Sequence, residues 1–181
     1  MPIPGGYSWT LTTRLGDMLR KAEHAHGYRD LTYTVLGIEF EISGPQIWYP
    51  GNCKHIAIQL TPDTQTDMRK ACYQLAHECI HLLSPLGKRG ASTLEEGLAT
   101  YFAHQYVQDN FSFSMPATIP SYEVARNLVG ELLSIDIGAV KALRRIEPTI
   151  SKITAAQMVS NYPSLNPATA AALEAPFVGS P

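Results

Sequence analysis

The stretch Leu75-Ala76-His77-Glu78-Cys79-Ile80-His81-Leu82-Leu83 decides how this chain is read. Placed on a helix at about 100° per residue, Met68, Cys72, Leu75, Cys79, Leu82 and Leu83 form one apolar stripe, which must face a core. His77 and His81 fall on the opposite side, about 40° apart, and Glu78 falls between the two faces. Tyr73 and Ile80 flank the histidines, so that side reads as the wall of a cleft rather than an ordinary solvated face. Two imidazoles four residues apart can bind one divalent cation, and the carboxylate beside them can reach a water on it. Chance is the competing explanation: six His and ten Glu in 181 residues give this spacing in roughly one chain in a hundred.

Working outward, the periodicity predicts a helix over Trp9–His26, carrying Leu11, Leu15, Met18, Leu19 and Ala22 and stopped by Gly27. Leu31–Ile42, Gln46–Tyr49 and His55–Leu60 are rich in β-branched and aromatic residues and read as three strands. Thr61-Pro62-Asp63 opens the motif helix, which runs to about Ser84 before Pro85. Ser92 and Glu95 fit a capping box for a helix over Thr93–Gln108. Asn110–Pro120 reads as a loop, Ser121 starts a further helix, and Asp136–Ile146 and Ala155–Asn161 supply two more. The expected fold is α+β: a helix, a small three-stranded sheet on one side of the motif helix, and a mainly helical second half closing the other. Residues 1–162 form one domain, followed by an Ala/Pro-rich tail over 163–181.

A catalytic metal site needs a third protein ligand and an open position for water. Glu95 and Glu96 are the candidates. Glu96 shares a helix face with Ala99, Thr100 and Ala103, small residues that let two helices approach closely enough to share an ion. Glu95 lies nearer Leu98, Phe102 and Tyr106, and the cap already accounts for it. The angles therefore favour Glu96. Acceptors for the histidines' remaining N–H groups are open among Asp63, Asp67, Thr100 and backbone carbonyls. His24, His26, His55 and His104 read as surface or satisfied core residues.

Net charge −2 and a pI near 6.3 give no reason to expect nucleic acid or an anionic membrane as partner. Lys141, Arg144 and Arg145 read as a solvated helix face. No secretory signal or membrane-spanning run is visible. Cys53, Cys72 and Cys79 form no disulfide framework, with Cys79 a core residue; the expectation is a cytoplasmic protein. Oligomeric state is not legible.

The chain resembles the gluzincin metallopeptidases, the superfamily of thermolysin and aminopeptidase N, in which H-E-x-x-H is followed on a later helix by a glutamate ligand. In the aminopeptidase N branch that glutamate lies in N-E-G-F-A-S-Y; here the residues are Glu95-Glu96-Gly97-Leu98-Ala99-Thr100-Tyr101. The resemblance implies a Zn2+ held by His77, His81 and Glu96, with Glu78 as general base. That branch also carries an oxyanion-binding tyrosine opening a helix behind the site, which implies this role for Tyr122 in Ser121-Tyr122-Glu123. It implies peptide or protein substrates paired along an edge strand, equivalent to Gln46–Tyr49, with Trp48 or Tyr49 lining a pocket. Position along the chain separately suggests the Phe111–Pro120 loop as a cover for the cleft. A core position is the alternative for Trp48. The G-A-M-E-N strand that reads a free N-terminus is missing, which favours an endopeptidase. The competing expectation is a regulatory or binding protein on the same scaffold, with little turnover.

Overall fold

The computed structural model describes residues 10–51, 54–88, 90–112 and 119–179. Trp9, Cys53 and most of the Phe111–Pro120 loop lie outside these, so the readings made of them stand as expectations. Among the described residues the fold is α+β, with seven α-helices and one three-stranded sheet. Helix α1 (Leu11–His26) begins at a reciprocal cap between Thr10 and Thr13 and ends at Gly27, whose φ of 96° is open to glycine. Strands β1 (Thr34–Phe40), β2 (Gln46–Trp48) and β3 (His55–Leu60) follow. The sheet order is β1-β3-β2, with β1 parallel and β2 antiparallel to the central β3. Ile56, Ile58 and Leu60 point from β3 into the core. On the other face, Glu39, Gln59 and Gln46 stand in register, linked by Gln59 Nε2 donating to Glu39 (2.7 Å) and Gln46 Nε2 donating to Gln59 (2.6 Å).

The motif helix α2 (Met68–His81) is shorter than the sequence suggests. Pro62–Gln65 forms a separate 3-10 turn, and Asp67 starts the α-helix by accepting from the N–H groups of Arg69 and Lys70, both at 3.0 Å. Asp63, expected to open the helix, is instead paired with Lys70. Met68, placed by periodicity on the core stripe, is the first helical residue and is 44% exposed, while Cys72, Leu75, Cys79, Leu82 and Leu83 are buried as expected. Helix α1, the sheet and helix α3 (Thr93–Phe111) surround α2. Helix α4 (Pro120–Ile135) packs on α3, and α5 (Ala139–Leu143), α6 (Ala155–Asn161) and α7 (Pro167–Glu174) complete the domain.

Three expectations are corrected here. The 163–181 region contains α7, which buries Thr169, Ala170 and Leu173 and is capped by Asn166 with Pro167 at its first position. Arg144 is not on a solvated face. Its guanidinium donates to the carbonyls of His26, Gly27, Tyr28, Leu83 and Pro148 at 2.8–3.0 Å, so one buried cation ties together the ends of α1 and α2. A positive group at two helix C-termini meets carbonyls that have no partner within their helices. Lys141 joins it by donating to His24 O. Of the two aromatic candidates for the pocket, Tyr49 lines the cleft described below, whereas Trp48 is about half exposed on the sheet's outer face and not in the core.

Candidate metal centre

The crossing of α2 and α3 brings three donor groups to one point. His77 Nε2 lies 3.1 Å from Glu96 Oε2, and His81 Nε2 lies 3.7 Å from Glu96 Oε1. One ligand atom from each of the three residues falls within 4.8 Å of the others, so the group could hold a metal ion. The helix phase explains the convergence: His77 and His81 are one turn apart on α2, and Ala99 and Ala103 keep the facing side of α3 slim and buried.

Glu95 does more than the capping box asks. Ser92 Oγ accepts from its N–H at 3.3 Å, but the Glu95 carboxylate turns inward and binds His81 Nδ1 at 2.8 Å. Its second oxygen accepts from the Ser151 hydroxyl, which in turn accepts from the Ser92 N–H at 2.7 Å. Ser151 thus takes the place the capping box assigns to Glu95 at Ser92. Glu95 fixes the proton of His81 on Nδ1 and leaves Nε2 free to ligate, an arrangement that orients imidazole ligands in metal sites. The other proposed acceptors are engaged elsewhere: Asp67 caps α2, Asp63 pairs with Lys70, and Thr100 donates to Glu96 O.

The charges also suit a cation. Three buried or nearly buried carboxyls, Glu78, Glu95 and Glu96, meet two imidazoles. With the imidazoles neutral and the carboxyls ionised, the cluster carries uncompensated negative charge in a water-poor interior, which is costly unless a cation or protons balance it. The titration behaviour follows. Burial alone would lower the His81 pKa, but the Glu96 charge, the Glu95 hydrogen bond and the Glu95 and Glu78 charges outweigh it and raise it. Burial pushes Glu96 up, yet His81 and His77 outweigh this and hold it at about 2. Glu78 is raised, chiefly by burial, against the pull of both histidines and a hydrogen bond from the Ile47 N–H.

Above the cluster is a cleft of about 310 Å³, lined by Gln46 and Ile47 of β2 and by Tyr49 just after it, by Leu86, Lys88, Gly90 and Ala91 of the α2–α3 loop, and by His77, Glu78, His81, Glu96 and Tyr122. Tyr122, in the first turn of α4, packs edge-on against His77 with ring centroids 5.6 Å apart. Its phenol pKa is raised by burial and then by the Glu96 and Glu78 charges, so the hydroxyl keeps its proton. The approach of α4 depends on Gly97: a Cβ there would collide with the Ala125 carbonyl oxygen and stand 2.7 Å from both the Ala125 carbonyl carbon and Val129 Cγ2. His104 stays apart from the cluster, packed edge-on against Tyr73 and 3.6 Å from Glu123. The site residues read from the sequence, His77, Glu78, His81, Glu96 and Tyr122, all line this one cleft. Ser151 was missed, because nothing local connects it to a residue 56 positions away. Comparisons with protein-family models, curated proteins and solved structures found no match.

Proposed function

We propose that this protein is a zinc-dependent peptidase of gluzincin type, cleaving within peptide or protein chains. The observation that carries this reading is the convergence of His77, His81 and Glu96 beside the buried Glu78 carboxyl, on the floor of a cleft bordered by a sheet edge. Two imidazoles and one carboxylate, with the Glu95-oriented His81 among them, are a donor set that suits zinc better than harder cations. Bound zinc would polarise a scissile carbonyl and bring the pKa of a coordinated water to about 7.

The chain's own residues supply the rest. Glu78 takes a proton from the attacking water and returns it to the leaving amine; burial raises its pKa, which favours its holding that proton between the two steps. The Tyr122 hydroxyl donates to the oxyanion formed at the carbonyl, a contribution on the order of 10²–10³ in rate for one such donor. Because β2 is an edge strand bordering the cleft, an extended substrate can lie along it, beside Tyr49. The test is zinc analysis together with cleavage of a mixed peptide library by the wild type and Glu78→Gln. The expected result is one zinc per chain in both and cleavage in the wild type alone. One zinc per chain with no Glu78-dependent cleavage would replace the peptidase reading with that of a binding protein.

A further inference from the structure

The segment after α7 returns to the cleft. Thr93 N donates to Ala175 O at 2.9 Å, Thr93 Oγ1 donates to the same oxygen at 3.1 Å, and Phe177 N donates to Ala91 O at 3.0 Å. Ser92 and Pro176 form an isolated antiparallel bridge between these bonds. The bonds fasten 175–177 along the start of α3, beside Ala91 at the cleft wall. They also set the Phe177 ring on Tyr122, with centroids 4.7 Å apart. Tyr122 is therefore held between two rings, His77 on one side and Phe177 on the other. It sits in the first turn of α4, whose N-cap residue, Ile119, makes no side-chain cap bond. We propose that Phe177 is a positioning residue. Carried by the strap over 175–177, it fixes the Tyr122 ring against His77 and so aims the hydroxyl into the cleft. The inference rests on the peptidase reading only for its effect on rate; the placement of the ring can be tested without turnover.

The test has two arms on the full chain. In the first, 3-fluorotyrosine is incorporated and the Tyr122 ¹⁹F resonance is assigned by its loss in Tyr122→Phe. The expected result is a signal displaced by the flanking rings in the wild type that moves toward the free-tyrosine position in Phe177→Ala and is restored in Phe177→Tyr. An unchanged signal in Phe177→Ala would overturn the proposal, whether or not the protein turns over any peptide. In the second arm, kcat on a cleaved peptide should fall about 10- to 100-fold in Phe177→Ala, the scale of a misplaced catalytic group, with KM and zinc content little changed. Phe177→Tyr should recover most of the rate, and Phe177→Ala should cost nothing further in a Tyr122→Phe background. A loss of equal size in that background would mean Phe177 acts by another route and would overturn the proposal. A wild type without turnover would defeat the peptidase reading and leave the first arm to decide the placement.

Discussion

Replacing Gly97 with alanine should separate metal binding from catalysis. The added methyl would sit 2.7 Å from the Ala125 carbonyl carbon and from Val129 Cγ2, where ordinary contact begins at 3.4 Å. The nearest obstruction is the Ala125 carbonyl oxygen, which is backbone, so no rotamer change relieves it, and α4 must retreat by about 1 Å. Overpacking of this kind costs about 1–3 kcal/mol, and the better helix propensity of alanine returns up to about 1 kcal/mol. With the backbone contact at the upper end, the net loss is about 2 kcal/mol, or a Tm lower by about 4–8 °C for a chain of this size. The atoms that crowd Gly97 belong to α4 and not to α2, so His77, His81 and Glu96 keep their places. Tyr122 moves with α4. Calorimetry, zinc analysis and steady-state kinetics should therefore show a lower Tm, one zinc per chain, and kcat reduced about 10- to 100-fold. Unchanged Tm and turnover would refute the packing argument. Zinc lost in step with turnover would refute the division between a metal-holding α2–α3 pair and a catalytic α4.

Glu95→Gln should weaken zinc binding about 10- to 100-fold in competition with a chromogenic chelator, and Glu96→Ala should weaken it far more; affinity in Glu95→Gln equal to the wild type would show that the Glu95–His81 bond does not orient the ligand. Arg144→Met should lower stability by about 2 kcal/mol or more in urea titrations, since it strips the donor from the carbonyls of His26, Gly27, Tyr28 and Pro148, while Leu83 O keeps the Asp30 N–H at 3.0 Å, and a buried unpaired carbonyl costs about 1–3 kcal/mol; a change within 1 kcal/mol would mean that water replaces the guanidinium. His26 has its pKa drawn down to about 4, first by burial and then by Arg144 and Lys141, against about 6.5 in an unfolded chain. The unfolded state therefore binds a proton first as the solution is acidified: the contribution is complete above pH 6.5 and is lost between 6.5 and 4, amounting to about 3 kcal/mol. His26→Gln should flatten that part of the stability–pH curve, and parallel curves for the two proteins would exclude His26 as its source.

The candidate metal cluster is legible in the sequence because helix phase is a local property. Spacing alone put His77 and His81 on one face of α2 and separated Glu96 from Glu95 on α3. The fate of the Glu95 side chain was not legible, since a serine three residues before a glutamate reads as a capping box whether the carboxylate turns back or inward. What decides between the two is His81 across the helix pair and Ser151 from a distant turn, and neither is visible in a local window. The role of Arg144 is hidden for the same reason: a short basic run looks solvated until the ends of α1 and α2 are brought to it. Helix α7 did carry a signal, Asn166-Pro167, which the abundance of alanine and proline around it obscured. The start of α2 is ambiguous in the sequence because Pro62 suits the first turn of either helix type, and Asp67 is the residue that sets the boundary.

The Glu39–Gln59–Gln46 ladder has a reach beyond the sheet. Strand β2 is three residues long, and these side-chain amides on the face turned away from the core help hold its alignment with β3. That alignment is also what aims the Ile47 N–H at Glu78. A two-residue slip would carry that N–H about 6.6 Å along the strand. Selection for altered activity should therefore recover substitutions at Glu39 and Gln59, on the far side of the sheet, where a search confined to the walls of the cleft would never look.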